Sequence, residues 1–397
     1  MIKGPHRQAK TGFRDRPRKK RTETETALLP FNPPIAVASD APMAAAPMVT
    51  APIVLQHLAP ATVSEVYESY WRFAAERQAI FFRRARGEKG PWTNNAVLGA
   101  YKFTNAYRAS DRVSQYLIRR VIYRDDLPKT PREVFFRILL FKLFNKIETW
   151  ELLERTVGAV TFEHYRFDKY DEALSSAMRS GHRIYSAAYI MPPGSSAFGR
   201  IAKHQNHLAL LESMMANQLA ERLAQTRTMQ EGFEKLLSYP TIGPFLAYQF
   251  ITDINYSEIT DFSEMDFVVP GPGARDGLRK CFVDPGGLNE PELIRLMVDL
   301  QEREFERLGL NFESLWGRRL QLIDCQNLFC EVDKYARVMH PDVVGHTGRT
   351  RIKQKLTPIN KPIALFYPPK WNLNDKIESS NFAPISGEAL APSAKLC

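Results

Sequence analysis

Several things are scarce in this chain. No apolar run approaches the ~18 residues that a membrane-spanning helix requires, and the N-terminus lacks the apolar segment of a secretory signal. Cysteine is limited to positions 281, 325, 330 and 397, with no CxxC pair and no histidine placed to complete a tetrahedral set. That excludes a disulfide framework and a zinc site, and it points to a reducing, cytoplasmic setting with buried thiols, no metal and no cofactor. Strand-like alternation is almost missing. The best candidate, Ile184–Ile190, is apolar enough to be buried helix instead. There is no internal repeat, and no GxxxxGK[ST] loop to cradle nucleotide phosphates.

What is present is a chain of 397 residues, 44% hydrophobic and 11% aromatic, enough for a sizeable core in one or two domains. The net charge of +10 is unevenly placed: residues 1–21 hold nine Lys/Arg against one Asp. Residues 1–60 therefore read as a disordered basic arm, either holding DNA phosphates without sequence preference or keeping the protein soluble. Helical periodicity fills residues 61–340. It predicts helices near 62–86, 95–107, 110–123, 131–144, 147–157, 170–180, 200–238, 244–253, 290–308 and 313–338. Breakers separate them at Leu127-Pro128, Met191–Gly194, Pro270–Gly273 and Asp284–Gly287. The expected fold is all-α, two helical lobes with a cleft between them, in a monomer. Residues 341–397, rich in Pro, Lys and Asn, read as a partly ordered extension.

Two segments within residues 234–253 flank a tight turn at Tyr239-Pro240-Thr241-Ile242-Gly243. Pro240 stops the first helix, Gly243 permits the reversal, and Pro244 opens the second helix, where its missing N–H costs nothing. The free N–H groups of Gly243, Phe245 and Leu246 then lie at the positive end of a helix dipole, a place for a DNA phosphate. The loop at 260–280 carries Asp266, flanked by Met265 and Phe267. The plain reading is an ordinary helix–turn–helix pair with a surface Asp. The arrangement also resembles the helix-hairpin-helix DNA glycosylases, whose hairpin reads Leu-Pro-Gly-(Val/Ile)-Gly and whose catalytic Asp follows at this distance. Thr241 stands where that pattern has its first Gly. Phe245 stands where bifunctional members carry a Schiff-base Lys.

Unusual polar detail recurs in two further places, Pro91–Asp111 with Trp92, Phe103, Asn105, Tyr107 and Arg108, and Phe144–Trp150 with Asn145 and Glu148; a third string, Leu328–Tyr335 with Lys334, lies late in the chain. Asn145 reads either as the cap of a helix starting at Lys146 or, with Glu148, as a reader of a base edge. These strings, in this order over about residues 65–340, resemble the α-glutamyl/putrescinyl-thymine pyrophosphorylase family. That family includes the helical domain attached to 5-hydroxymethyluracil DNA kinases and is regarded as a divergent branch of the glycosylases. The resemblance implies a modified pyrimidine in DNA as substrate and, without a P-loop, a stand-alone helical enzyme.

Such a base must be flipped out of the helix to be reached. Thr241, Ile242, Gly243 and Phe245, with Arg275, Lys280 and Lys334, are then candidate DNA contacts. Trp92, Phe103 and Tyr107 would stack on the base, and Asn105, Arg108, Asn145 and Glu148 would read it. Asp266 would stabilise positive charge on the sugar during excision, which leaves an abasic site. Excision of a hypermodified base, as in defence against phages with modified DNA, is the leading expectation. The alternative is transfer of an amine onto the 5-methylene with loss of pyrophosphate, with Arg108, Arg112, Lys146 or Lys334 facing the leaving group. A non-catalytic reader of modified DNA is the third.

Overall fold

A computed structural model describes residues 60–187, 191–357 and 365–380. The expected basic arm and residues 188–190 of the one strand candidate lie outside them. Among the described residues, fifteen α-helices account for most of the structure, and the one sheet is a two-stranded antiparallel ribbon of β1 (Thr62–Val63) and β2 (Phe282–Asp284). The all-α expectation holds. The described residues belong to one compact unit. No helix here is long and apolar enough to cross a membrane.

α1 (Glu65–Ala85) begins at Ser64, whose hydroxyl accepts from the Val66 N–H, and it has Glu65 and Glu68 in its first turn and Arg83 and Arg84 in its last. α2 is only Ala96–Ala100. α3 (Arg112–Tyr116) runs on into a π-helical segment, Leu117–Ile122. The middle of the molecule is α4 (Pro131–Phe144), in which every residue from Glu133 to Phe144 is buried. A helix apolar on all sides must be enclosed by others. Against it pack α5 (Ile147–Val157), α8 (Lys203–Ala216) and α9 (Leu219–Ala224), while α6 (Phe167–Arg179) packs on α5 and α8 and the short α7 (Ser195–Phe198) on α8. The single helix expected over 200–238 is three. Gln218 in the left-handed region (φ 51°) divides α8 from α9, and Thr228 caps α10 (Met229–Leu237) afresh.

α10 and α11 (Pro244–Ile254) pack against each other across the expected turn, with Pro244 at the first helical position and Gly243 as its N-cap. Thr241 takes φ 69° there, the conformation for which Gly is the default. α12 (Pro272–Cys281), α13 (Glu290–Arg307) and α14 (Leu322–Met339) complete the core. The Gly-rich start of α12 is explained by contact with α14: a Cβ on Gly277 would lie 2.7 Å from the carbonyl carbon of Phe329. The two helices meet backbone to backbone. The helix expected from 313 begins only at Leu322, because Trp316 (φ 51°) and Gly317 (φ 93°) turn the chain just before it.

The C-terminal segment joins the core. Lys102 and Leu356 share backbone hydrogen bonds with Gln354 and Ala100, and Leu365 and Tyr367 are buried. The Lys370 ammonium donates to the carbonyls of Ser257 and Thr260 before α15 (Asn374–Ser379).

Candidate active site

The stretch after α2 leaves helical geometry because side chains take over its backbone groups. The Thr104 N–H donates to Glu331 Oε2 (3.0 Å), and its carbonyl accepts from Arg77 Nε (3.0 Å). The Asn105 N–H donates to Asp111 Oδ1 and the Arg108 N–H to Asp324 Oδ1, both at 2.8 Å. The expected helix over 95–107 therefore stops at Ala100 and becomes a loop clamped by α1, α3 and α14.

The loop carries two polar layers. The inner one is buried and centres on Asp253 of α11, which is fully enclosed. Its oxygens lie 2.8 Å from Arg108 Nη1 and 3.1 Å from Lys142 Nζ. Arg108 also donates to Gln249 Oε1 (3.1 Å) and Tyr256 OH (2.9 Å), and Lys142 donates to Asn145 Oδ1 (2.8 Å). Burial opposes ionisation of Asp253, but Arg108 and Lys142 together outweigh it and hold the carboxyl below its ordinary range. Burial draws the Lys142 ammonium down to about 8 against the pull of Asp253. Asp324 is pushed up to about 7 by burial, opposed by the N–H groups it accepts from.

The outer layer is partly open to solvent: Thr104, Asn105, Asp111 and Lys334, with Arg77 and Glu331 behind them. Asn105 is satisfied at both ends, donating to the Ser110 carbonyl (2.7 Å) and accepting from Arg77 Nη2 (2.8 Å). Lys334 Nζ lies 2.6 Å from Glu331 Oε2 and 5.1 Å over the Phe103 ring. Burial pushes Asp111 up to about 7, and Glu331 adds to this. The Asn105 N–H, Arg77 and Arg108 act the other way. Burial also draws Arg77 down to about 10. The Thr104 hydroxyl is buried without a partner. This layer places a carboxyl that titrates near neutrality beside a second carboxylate and two cations. It can move a proton and neutralise an anionic group.

The structure brings Asn105, Phe103 and Lys334 together at this layer, whereas Arg108 and Asn145 lie in the inner one. Asn145 does cap a helix, but as the left-handed C-cap of α4 (φ 49°), with its side chain on Lys142. Tyr107 offers no face for stacking: it is 1% exposed, and its hydroxyl donates to the Arg318 carbonyl (2.6 Å). Trp92 is half-buried, its indole N–H on the Glu88 carbonyl (2.7 Å) and Arg84 over its ring (5.1 Å). Glu148 is exposed, 3.5 Å from Arg112.

The expected DNA contacts scatter. Lys280 is not a surface cation. It is 1% exposed and paired with Asp333 at 3.0 Å, because α12 seats so closely on α14. Ile242 is buried, and Phe245 is half-buried against Gly271. Thr241 is half-buried with a buried, unpartnered hydroxyl. Gly243 and Arg275 are exposed, the latter 3.0 Å from Glu290. Asp266 is exposed in the loop before α12, held by Arg295 through the backbone carbonyls of Met265 and Asp266. No hydrogen bond or ion pair reaches its carboxylate among the described residues, and it is not part of either polar layer. The residues missed were Arg77, Asp111, Lys142, Asp253 and Glu331. The available signal was charge inside apolar helices, at Arg77, Lys142 and Asp253 above all.

Residues 64–345 match the family described as 5-hmdU DNA kinase, helical domain. A 5-hmdU DNA kinase of Bacillus phage SP10 is 27% identical over 292 residues, covering 70% of this chain and 46% of that protein. The chain thus spans about half the length of this relative. No solved structure matches it. The relationship is to these kinases, and the expected branch position among glycosylases is not part of it. With the match running through every element from α1 to α14, the chain belongs to the 5-hmdU DNA kinase helical-domain family.

Proposed function

We propose that this protein acts on a 5-hydroxymethylated pyrimidine in DNA as a group-transfer enzyme, exchanging an activated substituent on the 5-methylene for an amine. The observation that carries the reading is the placement of Asp111, held by the Asn105 N–H in the layer that also holds Glu331, Arg77 and Lys334, where burial pushes its carboxyl up to about 7. Family membership and the substrate in the relative's name support it. In the reaction an amine forms a C–N bond to the methylene as the C–O bond to pyrophosphate breaks. The ammonium proton passes to the Asp111 carboxylate, and the leaving pyrophosphate gains its counter-charge from Arg77 and Lys334. Phe103, lying under Lys334, limits water around these charges and strengthens their effect. Excision is the weaker reading, because its catalytic group, Asp266, stands in water, where a carboxylate stabilises a sugar cation poorly.

The test is mass spectrometry of digested DNA that carried pyrophosphorylated 5-hydroxymethyluracil, after incubation with the protein and a primary amine. An amine adduct retained on the base, with pyrophosphate released, is expected. Free base and abasic sites would restore excision, and selective binding without any product would favour a reader.

A further inference from the structure

A groove between α5 and α6 plays no part in the site above. It encloses about 310 Å³ and is lined by Lys146, Arg155, His182 and Arg183, with Glu148 the one acid along it. Lys146 is anchored by donating to the Arg183 carbonyl. Arg155, His182 and Arg183 are exposed, and none of their side chains has an ion-pair partner among the described residues. Glu148 is already engaged from the other side by Arg112, at 3.5 Å. The first turn of α5 adds a partial positive charge and the end of α6 an opposite one, so the side chains decide the sign. Cations gathered on a concave surface repel one another, and an anion relieves that cost.

We infer that this groove holds phosphodiesters of the DNA strand adjoining the modified nucleotide, an assignment that rests on the proposed function. Two features favour a strand over a compact free anion. The arginines are exposed along an open groove with Leu152, Ala173 and Ala177 between them, instead of converging in a buried cup. The groove also adjoins the site: Arg112, which bridges to Glu148 at its rim, is the residue after Asp111.

The experiment is the salt dependence of binding to duplex DNA containing 5-hydroxymethyluracil, for the wild type and for Arg155→Gln/Arg183→Gln. Both side chains are exposed, and a thermal melt checks that the variant is folded. Losing two phosphate contacts lowers the slope of log affinity against log salt by about 1.8. A wild type that binds with a variant slope unchanged overturns the groove assignment alone. A wild type with no affinity for this DNA overturns the functional reading and the groove with it. Calorimetry with inorganic pyrophosphate separates the sources: binding that the variant loses, with an unchanged DNA slope, makes this a free-phosphate pocket and refutes the strand assignment.

Discussion

Gly277→Ala measures how closely α12 and α14 approach. The added Cβ would lie 2.7 Å from the carbonyl carbon of Phe329 and 3.1 Å from its Cα, against the 3.4 Å or more of ordinary contact. The obstacle is helical backbone, so no side-chain rotation relieves it. α12 must slide away, pulling on the buried Lys280–Asp333 pair. Overpacking of this kind costs roughly 1–3 kcal/mol, occasionally more. The better helix propensity of Ala returns about 1 kcal/mol. The net loss is up to about 2 kcal/mol, read as a lower urea midpoint with unchanged slope. Gly273→Ala meets mainly the Cys330 side chain, which can rotate, and should lose less. Gly99→Ala in α2 has nothing within 4 Å and should be neutral or stabilising. If Gly277→Ala is as stable as Gly99→Ala, the backbone contact is not as described.

Arg108→Met leaves Asp253 buried beside Lys142 alone and should cost about 3–5 kcal/mol in denaturant unfolding; Arg108→Met/Asp253→Leu should recover part of that. Thr241→Gly removes a β-branched residue from φ 69° and a buried, unpartnered hydroxyl. It should gain up to about 1 kcal/mol after the entropy cost of Gly, and a loss would show that packing of the half-buried Thr241 side chain dominates. Asp111 holds its proton more tightly folded than unfolded, so stability should fall as pH rises from the ordinary carboxylate range to about 7. The rate should rise through that same pH. Asp111→Asn should flatten both profiles and lower turnover by about 10²-fold or more while the fold survives.

The all-α fold was legible because apolar spacing and breakers agree along most of the chain, as in α4, with Pro131 at its start and Asn145 at its end. Periodicity failed where side chains replace backbone partners. Residues 101–107 keep helical spacing, yet Glu331, Arg77 and Asp111 take their backbone groups. Those partners lie 6 to 227 positions away, and mostly beyond any local pattern. Lys280 looked like a surface cation because its sequence cannot show that Gly273 and Gly277 bring Asp333 against it. For the site, the resemblance marked the segments that meet, through Asn105 and Lys334. The hairpin-to-Asp spacing led instead to an exposed Asp266, since spacing along a chain says nothing about enclosure.

The central claim is that Asp111 and its neighbours promote amine transfer onto a 5-methylene in DNA. It is tested most directly by digesting DNA that carried pyrophosphorylated 5-hydroxymethyluracil, after incubation with wild type or Asp111→Asn and a primary amine, and weighing the nucleosides. The account predicts an amine-substituted nucleoside with wild type and almost none with Asp111→Asn. Equal adduct from both proteins, or abasic sites in place of an adduct, would contradict it.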